Sequence, residues 1–156
     1  MGIAQIVQKV SSTAGFARTA PYVVPALDRA VHRLTRGKVL LSALLLPGVI
    51  LTSTGARSGL ARRTPLACMP EEGGRSWLLV GSNFGRTGHP AWTHNLLARP
   101  DAEINFRGRD IPVTAVPLAG EERAAAWRAL LMFWPPYATY QARVTREIRV
   151  FRLIRR

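Results

Sequence analysis

Arg57, Arg62 and Arg63 crowd three guanidinium groups into the stretch TSTGARSGLARRTPL (residues 52–66), which is otherwise small, hydroxylated and glycine-punctuated. A guanidinium is a planar fork of donors that fits phosphate or carboxylate oxygens two at a time. Ser58 and Thr64 add hydroxyls, and a turn bracketed by Gly55 and Gly59 leaves backbone N–H groups free to point at the same anion. The chemistry on offer is anion binding. The stretch lacks the Gly-Lys-Ser/Thr ending of a P-loop and the G-x-G-x-x-G dinucleotide fingerprint. Two readings stay open on these residues: an anion clamp between two strands, or a hairpin turn whose arginines are merely solvated.

A second stretch, GSNFGRTGHPAWTHNLL (residues 81–97), runs from a strand through a glycine-punctuated loop into a helix with Pro90 near its first turn. Trp92 and Asn95 share a face of that helix. The arrangement offers free N–H groups, an indole and a carboxamide to one ligand. His89 and His94 invite an acid–base reading, but neither has a carboxylate nearby in sequence, which favours capping or packing roles. Cys68 stands among Leu66, Ala67 and Met69 with no His or Asp beside it, the setting of a buried, inert thiol. No His/Cys cluster has zinc-site spacing, so no metal is expected.

Short strands and a few helices must position these groups. The apolar pattern predicts strands at Val49–Ser53, Arg63–Met69, Trp77–Ser82, Glu103–Phe106, Asp110–Val116 and Arg149–Ile154. Pro112 inside the fifth argues for an edge or bulged position. Helices are expected at Pro90–Ala98, at Glu121–Phe133 with Ala125, Leu130 and Leu131 among its apolar positions, and at Tyr137–Val144. Upstream, residues 2–10 and the segment around Leu27–Leu34 carry amphipathic spacing, the latter with Arg29, Arg33 and Arg36 on other faces. The expected class is α+β, with about six mainly antiparallel strands forming a small barrel, flanking helices and an N-terminal helical extension.

Composition sets outer bounds. A chain of 156 residues suits one domain with a substantial core. Its formal charge of +13, from 22 Lys+Arg against 9 Asp+Glu, calls for an anionic partner: nucleic acid, acidic lipid or a polyanionic cofactor. One cysteine excludes an intramolecular disulfide and fits a reducing compartment. The run Val39–Leu51 is broken by Pro47-Gly48 and is too short to span a bilayer, and no secretory signal is evident. A cytoplasmic protein is expected, with peripheral attachment to the inner face of an anionic membrane through the N-terminal helices as an added option.

The two motifs in order, with WPPYATY at 134–140, resemble the deazaflavin-dependent nitroreductase family, oxidoreductases that use coenzyme F420. The resemblance runs from about Val49 to the end, and implies residues 1–48 as an extension before a split β-barrel F420-binding domain at 49–156. It implies that Arg57, Ser58 and Arg62 hold the coenzyme's phosphate and acidic oligoglutamate tail. Thr64, Pro65, Leu66 and Ala67 would line the deazaflavin ring, Ser82 and Asn83 would lie at its edge, and Ala91, Trp92 and Asn95 would support it. Trp134, Tyr137 and Tyr140 would close the substrate side, with Tyr137, Tyr140 or Ser82 meeting charge that develops on the acceptor. The implied activity is hydride transfer from F420H2 to a small-molecule acceptor: an activated C=C, a quinone or a nitro-aromatic compound.

Two alternatives accompany this reading. One is an FMN-binding split-barrel oxidoreductase. The other is a basic module that binds anions or a membrane surface without turnover. Nucleic acid is disfavoured, because Trp77, Phe84 and Trp92 are not interleaved with arginine as a stacking platform requires.

Overall fold

Alternation of side chains along a strand decides which residues of this chain meet in a core. The computed structural model describes residues 46–156. Its strands are β1 (Gly48–Thr54), β2 (Ala61–Ala67), β3 (Met69–Pro70), β4 (Ser76–Val80), β5 (Asp101–Phe106), β6 (Arg109–Pro117) and β7 (Val150–Arg155). Three α-helices intervene: α1 (Ala91–Ala98), α2 (Gly120–Phe133) and α3 (Pro136–Ala142). The strands form one sheet in the order β2-β1-β5-β6-β7-β4-β3, and every neighbouring pair is antiparallel. The edge strands β2 and β3 are separated only by Cys68, so the sheet must curl back on itself. The result is the expected α+β split barrel. The expected N-terminal helices at 2–10 and around Leu27–Leu34 lie outside the described residues.

Strand alternation then produces two cores. Val49, Leu51, Trp77, Leu79, Ile104, Val113, Phe151 and Leu153 point into the barrel, where Trp92 and Leu96 of α1 join them. Leu78 and Val150 point outward from β4 and β7, with Ile148 just before β7, and meet Leu130, Trp134, Tyr137 and Tyr140 from the α2–α3 region. Each core side chain of Leu, Ile or Phe size contributes about 1.5–3 kcal/mol by leaving water.

Three sequence expectations are altered. The single strand expected at Arg63–Met69 is divided at Cys68 into β2 and β3, because the chain turns the corner of the barrel there. Pro112 does not mark an edge or bulge, since β6 is an interior strand between β5 and β7. It is tolerated because the β6–β7 register begins at Val113, and the Pro112 carbonyl accepts from Arg156 N–H at 2.9 Å. The missing N–H thus faces the margin of the ladder. In α2 the buried positions are Ala126 and Leu130, while Ala125 is exposed.

A partly exposed ion network ties α2 to the sheet. Arg152 of β7 donates Nε and Nη2 to the two carboxylate oxygens of Glu71, each at 2.8 Å, and also meets Glu122 of α2. Ser76 Oγ donates to Glu71 at 2.5 Å. The Arg152 hydrogen bond holds the Glu71 carboxyl below its ordinary value of 4.5. A depressed carboxyl stabilises the fold above that value and loses its contribution as pH falls through the folded pKa. Glu71→Gln is therefore expected to lower stability at neutral pH by about 1–2 kcal/mol in urea unfolding, and the gap to the native protein should close below about pH 4.

Candidate functional site

The β1–β2 connection is a tightly closed loop. Gly55 N–H donates to Leu60 O at 2.8 Å and Gly59 N–H to Gly55 O at 2.9 Å. Gly59 has φ +70°, which favours glycine, and a β-carbon on Gly55 would lie 2.5 Å from Ser58 Oγ, so a side chain there would displace the serine hydroxyl. Ser58 Oγ accepts from Leu60 N–H at 3.2 Å and from Arg62 Nη2 at 3.4 Å. Asn95 of α1 holds the loop from the side. Its Oδ1 accepts from Ala56 N–H at 2.9 Å and its Nδ2 donates to Ser53 Oγ at 3.4 Å.

The register of β1 and β2 separates the arginines. Arg62 lies opposite buried Ser53, and Thr64 opposite buried Leu51, so both are on the barrel side. Arg63 lies opposite Thr52, on the other face. Leu66 packs against the inner core, while Pro65 and Ala67 share the Arg63 face. The bonds of Gly55 to Leu60 and of Cys68 N–H to Pro47 O, at 2.9 Å, fix which pairs are hydrogen-bonded. By alternation, Ala61, Arg63, Pro65 and Ala67 turn their backbone groups away from β1, to an edge with no partner strand. Pro65 has no N–H to leave unsatisfied there. Across the seam, β3 covers only Trp77 and Leu78, leaving the end of β4 bare on that side.

Beyond β4 the chain enters a strained loop. Asn83, Phe84 and Gly85 have φ of 48°, 54° and 78°, three consecutive left-handed residues. Ser82 just before them is right-handed, and such a pair turns successive N–H groups to one side. A β-carbon on Gly85 would sit 3.1 Å from Tyr140 Cα, so α3 presses directly on this loop. Asn83 Nδ2 donates to Gly88 O at 3.0 Å.

Arg146 secures the loop from the inside. Nε donates to Thr87 O at 3.1 Å, Nη1 to Gly81 O at 3.2 Å, and Nη2 to Ser82 O at 3.0 Å and Arg86 O at 3.1 Å. Nη1 also lies 3.2 Å from His89 Nδ1, and Arg149 Nη1 lies 3.3 Å from His94 Nδ1. Arginine only donates, so in these contacts each Nδ1 is placed as the acceptor. Burial, followed by Arg149, Arg146 and His94, holds the His89 imidazole below its ordinary value.

The aromatic residues occupy the outer core. Trp134, Tyr137 and Tyr140 are each less than a tenth exposed, and burial pushes the Tyr137 phenol well above its ordinary value. Tyr140 stands against Phe84, with ring centroids 6.0 Å apart, so this cluster backs the strained loop. Trp92 is in the barrel core, 5.7 Å from Phe151, and Ala91 is exposed. Burial raises the Cys68 thiol to about 12, consistent with an inert packing role. Helix α1 links the two loops, since Asn95 holds Ala56 and Thr93 lies against Gly81. Arg57, Ser58, Arg62, Asn95, Ser82 and Asn83 therefore lie toward one end of the barrel, with Thr64 midway along β2. The structure sets Arg63 on the far face and leaves Trp134 packed.

Sequence reasoning missed Arg146 and Arg149. Their partners lie 55 to 65 residues away, and no local spacing signals such contacts. A lowered imidazole pKa means that the unfolded chain takes up the proton first, so the His89 contribution is intact above 6.5 and declines as pH falls below it. Melting temperature followed downward from about pH 7.5 is expected to decline from that point, and less so in His89→Gln, whose amide oxygen can still accept from Arg146.

Comparison with known proteins agrees with this geometry. The family model for F420H(2)-dependent quinone reductase matches residues 27–154. An F420H(2)-dependent quinone reductase of Mycobacterium tuberculosis is 34% identical over 137 residues, covering 83% of this chain and 89% of the relative. The solved structure of an F420-H2 dependent reductase, FDR-A, is 39% identical, covers 69% of this chain and 93% of its own, and superposes with a TM-score of 0.61. A domain-swapped dimer is 34% identical over 80% of this chain and 94% of its own, with a TM-score of 0.64. Together with the split barrel and its arginine loop, these matches place the chain in the F420H(2)-dependent quinone reductase family, enzymes that use reduced coenzyme F420.

Proposed function

We propose that this enzyme passes a hydride from F420H2 to a small quinone-type acceptor at the seam between β2 and β4. The observation that carries the reading is the convergence, at one barrel end, of the Gly55–Leu60 loop with Arg57 and Arg62, the bare edge of β2, and the Ser82–Asn83 turn. The residues present fit the coenzyme. A polyanionic tail needs cations with hydroxyl support, which Arg57, Arg62 and Ser58 provide. A flat ring with polar edges needs an unpaired strand edge, which Arg63, Pro65 and Ala67 provide through backbone groups. When bound, the reduced deazaflavin supplies the hydride.

The chain's own contribution is position and electrostatics. Asn95 fixes the arginine loop by taking the Ala56 N–H, and Arg146 fixes the opposite wall by binding four carbonyls. The N–H groups at Ser82 and Asn83, with the Ser82 hydroxyl, are suited to a carbonyl or quinone oxygen on which negative charge grows. Tyr137 and Tyr140 support that wall from behind, a packing role that fits their burial. The family favours a quinone over an activated C=C or nitro-aromatic acceptor. A lipid-dissolved quinone would also give purpose to a cytoplasmic enzyme held on an anionic membrane by residues 1–48, whose amphipathic spacing supports attachment.

Titration of F420 against the native protein and Arg57→Ala/Arg62→Ala tests the reading. Saturable binding that weakens by about a hundredfold in the double variant is expected, from two charge-assisted contacts. Equal binding by both proteins would remove the loop from the coenzyme site. Purified protein that stays yellow through dialysis and ignores F420 would point to FMN.

A further inference from the structure

Arg99 closes the helix α1 at the point where that helix passes the arginine loop. Its N–H donates to Asn95 O at 2.8 Å, and the following Pro100 carbonyl accepts from Ala115 N–H at 2.8 Å, so its backbone is anchored on both sides. Pro100 holds Arg99 extended, at φ −139° and ψ 93°, which carries its side chain off the helix. The position a β-carbon would take on Gly59 lies 3.8 Å from Arg99 Nη2 and 3.9 Å from Nη1. The guanidinium therefore rests over the loop, four residues after the asparagine that pins the loop at Ala56.

Among the described residues, the ion pairs engage Arg123, Arg152 and Arg156, and Arg99 has no carboxylate or hydrogen-bond acceptor of its own. A guanidinium anchored at its root, unpaired at its tip and set against a loop that carries Arg57 and Arg62 lacks only an anion. Gly59 contributes no side chain that would stand between them. Arg63, which the linear motif groups with the clamp, is on the opposite face of β2.

We infer that Arg99 is the third cation of the clamp, in place of Arg63, and that it grips a carboxylate of the coenzyme's acidic tail beyond the phosphate. The inference rests on the reading that the loop binds F420. The phosphate belongs to the loop itself, where Ser58 and Arg62 are already joined. Arg99 approaches from the helix side of Gly59, and so meets the next anionic group along an extended tail. A planar fork suits a carboxylate better than a lysine point charge does.

The test is equilibrium titration with three probes: F420 with its glutamate tail, the phosphate-bearing form without glutamates, and the phosphate-free deazaflavin alcohol. Arg99→Gln is expected to weaken the full coenzyme about tenfold, with a shallower salt dependence, and to leave both shorter probes unchanged. Arg99→Lys should recover part of the loss. Arg128→Gln, on the exposed side of α2, controls for net charge and should change nothing. Full-coenzyme binding unaltered in Arg99→Gln overturns the inference, as does equal weakening of the tail-free form, which would put Arg99 on the phosphate. If Arg57→Ala/Arg62→Ala weakens binding while Arg99→Gln does not, only this inference falls. If the native protein binds no F420, the parent reading falls with it.

Discussion

One residue, Cys68, separates the strands at the two edges of the seven-stranded sheet, and that short link governs the rest of the architecture. A chain leaving one edge and starting the other within a single residue cannot lie flat. The sheet closes, its inner face becomes a core, and its outer face on β4 and β7 needs a second layer from α2 and α3. Closure is incomplete because β3 is only two residues long. The bare edges of β2 and β4 that remain would be an aggregation hazard in a flat sheet. Here they border a seam, where the proposed function sets the flat deazaflavin ring.

The wall of the seam is held in an unfavourable conformation. Left-handed Asn83 and Phe84 cost about 1–3 kcal/mol each. Arg146 offsets this with donors to four carbonyls, and hydrogen bonds from a charged group are worth about 1.5–3 kcal/mol each. The balance favours order. A guanidinium is the one side chain with enough donors in fixed directions to satisfy such a turn. Its charge also adds to burial and Arg149 in holding the neighbouring His89 imidazole below its ordinary value.

Positive charge has two separate uses in this molecule. Arg123, Arg146 and Arg152 bind carbonyls or carboxylates of the protein itself and serve the fold. Arg57, Arg62 and Arg99 gather at the β1–β2 loop without a carboxylate partner among the described residues, which is why the proposed anion clamp is drawn there. The net charge of +13 contains both sets, so composition alone could name an anionic partner but could not locate it.

What the sequence determined by itself was local. Alternating apolar residues placed six of the strand segments within a residue or two, and helical spacing placed α1 and α2, because these patterns reflect backbone period. Gly55 and Gly59 marked a turn whose geometry needs no distant partner. Tertiary structure decided the rest. Strand register put Arg62 and Arg63 on opposite faces, a distinction that adjacency in sequence hides. Closure at Cys68 split one expected strand into two edges, and the end of β7 let Pro112 sit in an interior strand. Arg99 joined the loop, and Arg146 the turn 59 to 65 residues away, only through folding. Side-chain period is written along the chain; the partner a side chain meets depends on how strands pair across it, and pairing is a property of the whole barrel.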